Sequence, residues 1–160
     1  MLLTWVAHHD SRRGDHSLAR THLERAVEAY RRLLGDEHPA TLTSMNNLAA
    51  TMVAVGNHAA ARALLEETSA ACTRLFGNEH PNTLTSMNNL AATLAALGDH
   101  ERARTLYEQT LAIRRRILGD GHASTMVSMN NLAATLEALR DRRGARLLKQ
   151  EREARQKGLR

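Results

Sequence analysis

Aromatic side chains are nearly missing from this chain: its 160 residues include one tryptophan, one phenylalanine and two tyrosines. The core must therefore be built from Leu, Met, Val and Ala, which suits close helix packing but supplies modest apolar area per residue. Proline is equally scarce, with two residues, and a composition rich in Ala, Leu and Arg points to an all-helical, soluble protein. The single cysteine, Cys72, excludes an internal disulfide framework and is read as a small packed thiol in a reducing, cytoplasmic compartment. No apolar run reaches membrane-spanning length, and residues 1–7 are too short and lack the basic flank of a secretion signal. Glycine-rich phosphate loops, a nucleophile elbow and a carboxylate pair on one face are all missing. No catalytic residue is nominated, and the chain is read as a non-enzyme that needs no cofactor.

What is present is repetition. The octet Ser-Met-Asn-Asn-Leu-Ala-Ala-Thr occurs at 44–51, 86–93 and 128–135, spaced by 42 residues each time. Residues 38–58 and 80–100 differ at only five of 21 positions. A fixed period of this length marks a solenoid whose units bury their apolar faces against their neighbours. Each unit carries two breaks. One contains Gly35, Gly77 or Gly119 followed by His38-Pro39, His80-Pro81 or His122-Ala123; the other is Gly56-Asn57-His58 or Gly98-Asp99-His100, decaying to Arg140-Asp141-Arg142. The breaks divide a unit into helix A, from about Thr41 to Val55, and helix B, from about His58 to Leu75. Thr41, Thr83 and Thr125 are the expected N-caps, and Gly35, Gly77 and Gly119 the expected left-handed stops. The expected fold is an all-α, right-handed α-solenoid of antiparallel hairpins with about three and a half repeats. Its units are 1–37 (partial, opening on a degenerate A helix over 1–13), 38–79, 80–121 and 122–160.

On a helical wheel, Met45, Leu48, Ala49 and Met52 form the stripe of helix A that packs on helix B. Thr43, Asn47, Ala50 and Ala54 lie opposite, as do Thr85, Asn89, Ala92 and Ala96, then Val127, Asn131, Ala134 and Ala138. No charged residue occurs from Ala40 to Val55, from Pro81 to Leu97 or from Ala123 to Leu136. An uncharged face of small residues with one carboxamide per repeat reads as a groove floor. Asn47, Asn89 and Asn131 each offer a donor and an acceptor to a peptide backbone. Asn46, Asn88 and Asn130 sit on the flank of the same helices, where inter-helix hydrogen bonds are expected to hold them.

Asn47-Leu48-Ala49, Gly56, Ala61 with Leu65, and Leu34-Gly35-Asp36-Glu37-His38-Pro39 together resemble the tetratricopeptide repeat family in its 42-residue, kinesin-light-chain-like form. The second unit matches through Asn89-Leu90-Ala91, Gly98, Ala103 with Tyr107, and Phe76-Gly77-Asn78-Glu79-His80-Pro81. The resemblance covers nearly the whole chain. It implies a protein-interaction scaffold that binds an extended peptide or a partner helix in the concave groove of the A helices. Thr43, Thr85, Asn47, Asn89, Asn131, Ala50, Ala92 and Ala134 would line that groove. One subclass clamps acidic C-termini with added Lys or Arg on this face. Here the position four before the Asn is Thr43, Thr85 or Val127, so a carboxylate clamp is not expected. Trp5 takes the Asn position of the first unit and is read as an aromatic end or cap.

Two further readings follow from charge and from the ends of the stack. Residues 140–160 hold nine Lys/Arg against three Asp/Glu, or +6, while residues 1–139 hold 13 against 14, or −1. A basic C-terminal helix can meet nucleic acid or an anionic surface, but it lacks interleaved aromatics and any nucleic-acid motif, so nucleic acid is an unlikely partner. Its apolar stripe fails after Leu148, so packing is expected to end there with the last turns solvated. Terminal hairpins stacking end to end would make a homo-oligomer, a reading the failed stripe disfavours at this end. The nine histidines recur a whole repeat apart, and His8 and His9 diverge on a helix, so no metal site is expected. Three and a half repeats are few for this kind of protein, and the chain is read as a possible segment of a larger one.

Overall fold

The structure, a computed structural model, describes residues 16–158. Trp5, His8, His9 and the degenerate helix expected over 1–13 lie outside the described residues. Seven helices follow one another among the described residues: α1 (His16–Leu34), α2 (Pro39–Ala54), α3 (His58–Phe76), α4 (Pro81–Ala96), α5 (His100–Leu118), α6 (Ala123–Ala138) and α7 (Arg142–Gln156). The expected A helices are α2, α4 and α6; the B helices are α1, α3, α5 and α7.

The A helices begin on histidine, not on the expected threonines. Pro39 follows His38, and a residue before proline is driven to extended backbone; His38 lies at φ −67° and ψ 139°. That conformation is the one an N-cap needs, and the Ala40 N–H donates to Nδ1 of His38 at 3.1 Å. His80 accepts from the Asn82 N–H and His122 from the Ser124 N–H, each at 3.1 Å. His122 reaches the same geometry, φ −69° and ψ 140°, although Ala123 follows it. Thr41, Thr83 and Thr125 instead lie inside the first turn, fully buried. The Thr41 hydroxyl donates to the Gly35 carbonyl at 2.8 Å, whereas those of Thr83 and Thr125 have no partner among the described residues.

The B helices begin on Asn57, Asp99 and Asp141, whose side chains accept from Ala60, Arg102 and Gly144 N–H groups. α1, α3 and α5 end on glycine as expected, at Gly35, Gly77 and Gly119, whereas α7 closes on Lys157 at φ −83°. Gly77 has φ 80° and ψ 171°, and Gly119 φ 81° and ψ 163°. Positive φ with extended ψ is a region only glycine occupies at low cost.

The described structure falls into two compact units that meet in sequence between Thr93 and Leu94, within α4. In the first, Leu23 and Val27 of α1, Leu42 and Met45 of α2, and Cys72 of α3 share one buried cluster. In the second, Tyr107 and Leu111 of α5, Met129, Leu132 and Leu136 of α6, and Ala145 of α7 are buried.

The last helix departs from the expectation that packing ends at Leu148. Apolar packing does end there, yet α7 continues to Gln156 on polar contacts. Lys149 meets Glu137 at 2.6 Å, Glu151 meets Arg115 at 2.7 Å and Arg155 meets Asp120 at 3.1 Å. Arg152 donates to Oδ1 of Asn130 at 2.6 Å. Ion pairs carry no apolar period, so a stripe search does not register them.

Candidate functional site

The octet repeats turn one face of each A helix toward the core and the opposite face toward water. Met45, Leu48 and Ala49 of α2 are buried, as are Met87, Leu90 and Ala91 of α4 and Met129, Leu132 and Ala133 of α6. On the opposite side Thr43, Asn47, Ala50 and Ala54 are exposed, as are Thr85, Ala92 and Ala96, then Val127, Ala134 and Ala138. Asn89 and Asn131 are half-buried on the same faces. Each of these asparagines has its main-chain carbonyl tied by the threonine one turn on: Thr51, Thr93 and Thr135 donate to the carbonyls of Asn47, Asn89 and Asn131 at 3.0, 2.9 and 2.9 Å. No described residue hydrogen-bonds their carboxamides.

The neighbouring asparagine behaves differently. Asn46 is buried, and its Oδ1 accepts from Ser86 of α4 at 3.0 Å. That bond joins successive A helices of the first unit, so Asn47 and Asn89 sit on adjacent helices with their carboxamides open. In the second unit Asn130 is taken by Arg152 of α7. The two members of each Asn-Asn pair are thus split between an engaged flank and an open face.

One B-helix turn before the break lies a position that sequence reasoning read as a packed thiol at Cys72 and passed over at Arg114. Cys72 and Arg114 are equivalent, 42 residues apart. The Ser86 hydroxyl meets Cys72 Sγ at 3.8 Å, and Arg114 donates to the Ser128 hydroxyl at 2.7 Å and the Ser124 carbonyl at 3.1 Å. Burial pushes the Cys72 thiol up, opposed by the weaker Ser86 contact, and pulls the Arg114 guanidinium down. Both are seam residues between a B helix and the following A helix, away from the open faces. Among the described residues no three His, Cys, Asp or Glu side chains converge as metal ligands. No described helix is long and apolar enough to cross a membrane.

The sequence profile of the tetratricopeptide repeat matches residues 1–73, 53–116 and 88–157. The chain belongs to the tetratricopeptide repeat family. Such repeats generally mediate protein–protein interaction, and proteins of this kind are typically non-enzymatic scaffolds. The crystal structure of BtubC (BKLC) from P. vanneervenii is similar with a TM-score of 0.89 at 23% identity. The match covers 98% of this tetratricopeptide repeat chain and 63% of that one, so the chain spans less than two thirds of BtubC. Two crystal structures of a putative kinesin light chain with nearly identical TPR-like repeats, from Podosopora anserina, are similar with a TM-score of 0.65 at 24% identity. They match 96% of this chain and 92% and 93% of theirs. At these identities the likeness establishes the α-solenoid fold of kinesin-light-chain-like repeats. No curated protein matches the sequence.

Proposed function

We propose that this tetratricopeptide repeat chain holds an extended peptide of a partner protein on the open faces of its A helices. Asn47 and Asn89 would act in the first unit and Asn131 in the second, each pairing with ligand backbone. The observation that supports this most is the contrast within each Asn-Asn pair. Asn46 and Asn130 are consumed by Ser86 and Arg152, while the adjacent carboxamides meet no described residue on a face without charge. Thr43, Thr85, Ala50, Ala92 and Ala134 keep that face low enough for a chain to approach.

Neighbouring helices pack about 10 Å apart and an extended chain rises about 3.3 Å per residue. One carboxamide therefore serves about every third ligand residue. A hydrogen bond nets about 0.5–1.5 kcal/mol, so backbone pairing alone gives weak binding, and pockets for ligand side chains must supply the rest.

A peptide array on the whole chain tests this reading, beside the Asn47→Ala/Asn89→Ala variant and the Asn131→Ala variant. Circular dichroism checks that both fold. A peptide class bound by the parent and lost from the folded variants supports the site. Equal binding by parent and variants would reduce these asparagines to scaffolding.

A further inference from the structure

The fourth hairpin has shed the acidic partners of its arginines. In the earlier B helices Arg62 pairs with Glu66 at 4.0 Å, and Arg104 with Glu101 at 2.8 Å and Glu108 at 3.9 Å. The equivalent residues on α7 are Arg146, Gln150 in place of Glu66 and Glu108, and Arg143 in place of Glu101. The turn before it changes in the same direction: Gly56 and Gly98 become Arg140, and His58 and His100 become Arg142. Arg140, Arg142, Arg143 and Arg146 are all exposed, and none pairs with a described residue. The cations farther along α7 do the opposite, since Lys149, Arg152 and Arg155 are each engaged. Four cations without a described partner are thus gathered at one turn, while the others of this kind, Arg25 and Arg32 on α1 and Lys157 after α7, are fewer and more scattered.

Beside that turn lies an open cleft of about 570 Å³, lined by Glu137 of α6 and Arg142, Arg146, Lys149, Gln150 and Glu153 of α7. The positions of Lys149 and Glu153 are held by Leu65 and Ser69 on α3 and by Tyr107 and Leu111 on α5, all buried. Those earlier faces meet the next A helix, as the Ser86–Cys72 and Arg114–Ser128 contacts record. On α7 the same face is open and charged.

We propose that this cleft and its arginine turn dock an acidic segment of a partner protein. Arg142, Arg143 and Arg146 span about 6 Å of helix rise with Arg140 in the turn before them, which matches a short run of Asp and Glu. The positive end of the α7 dipole adds to the attraction. Nucleic acid fits less well. None of the described aromatic residues, Tyr30, Phe76 and Tyr107, lies on α6 or α7 to stack a base. This site is separate from the asparagine faces and stands without them.

The test uses the whole chain with the turn rewritten to the residues of the preceding repeat: Arg140→Gly, Arg142→His and Arg143→Glu. Arg140 has φ 64°, where Gly56 and Gly98 have φ 80° and 85°, so the triple variant should fold at least as well as the parent. A second variant, Arg143→Glu alone, alters only an exposed position. Fluorescence anisotropy measures binding of a labelled Glu/Ala-rich peptide, beside single-stranded DNA and phosphatidylserine-containing vesicles. The parent should bind the peptide in preference to DNA and vesicles, weakening as salt rises. The triple variant should lose about tenfold or more and Arg143→Glu part of that, while Asn47→Ala/Asn89→Ala retains full affinity. Equal peptide binding by parent and triple variant, no peptide binding at low salt, or preference for DNA or vesicles would each overturn the proposal.

Discussion

Tyr107 occupies a buried seam position on α5, 2% exposed, and burial pushes its phenol up to about 12 from an ordinary value of 10. Folding therefore favours the neutral ring. That contribution is intact below pH 10 and is lost as pH rises through about 12. Tyr107→Phe cannot ionise, so its thermal midpoint should fall less than the parent's over this window; equal alkaline loss would place the sensitivity elsewhere. Arg115 shows another effect at this scale. It bridges Asp120 at 3.3 Å and Glu151 at 2.7 Å, as Arg31 bridges Asp36 at 3.2 Å and Glu67 at 2.6 Å. In the intervening repeat the three equivalent residues turn neutral together, as Thr73, Asn78 and Gln109. Joint replacement indicates that these charges act as a set. In a double-mutant cycle Arg115→Thr and Glu151→Gln should couple by about 0.5–1 kcal/mol, falling with added salt. Additive effects would mean that the pair is incidental.

At the scale of a helix, the start signal and the stop signal have different origins. The stop is a backbone property, and Gly77 and Gly119 are where the sequence placed it. The start is a competition that propensity alone misjudges. Threonine is a better N-cap than histidine by statistics, but His38 stands one residue before the first helical residue and is held extended by Pro39, while Thr41 is already within the first turn. His122→Ala should cost about 1 kcal/mol in chemical denaturation, and His122→Asn should recover most of it. Thr41→Val loses the bond to Gly35 and should cost about 0.5–1.5 kcal/mol. Thr125→Val removes a buried hydroxyl without a described partner and should be neutral or stabilising. An equal loss at Thr41 and Thr125 would show that the hydroxyls do not account for the difference.

Within each of the two units that make up the molecule, stability comes from seams between consecutive helices, as repeat architecture requires. The seam of α7 is unusual because beyond Leu148 it is held by Lys149, Glu151, Arg152 and Arg155. Such partly exposed pairs are weaker than buried apolar contacts and are screened by salt. Amide exchange should therefore be faster in α7 than in α5, and added salt should widen the gap by opening α7 selectively. Equal protection in the two helices at all salt concentrations would show that α7 opens only with the rest of its unit.

Much of this was legible in the sequence because a period needs no partner to be seen. The 42-residue spacing and its glycine breaks placed helix A at about 41–55 and helix B at about 58–75, against Pro39–Ala54 and His58–Phe76 in the structure. The wheel also placed Asn47, Asn89 and Asn131 opposite the core. What no local reading supplied was engagement. Two adjacent asparagines are chemically identical until packing turns one toward Ser86 or Arg152 and leaves the other open. Likewise, a basic helix looks uniformly solvated until Asp120, Asn130 and Glu137 are seen to claim three of its cations. Period and backbone conformation are carried by neighbours in the chain, whereas the pairing of polar side chains depends on residues about 12 to 40 positions away. Only the tertiary structure brings those together.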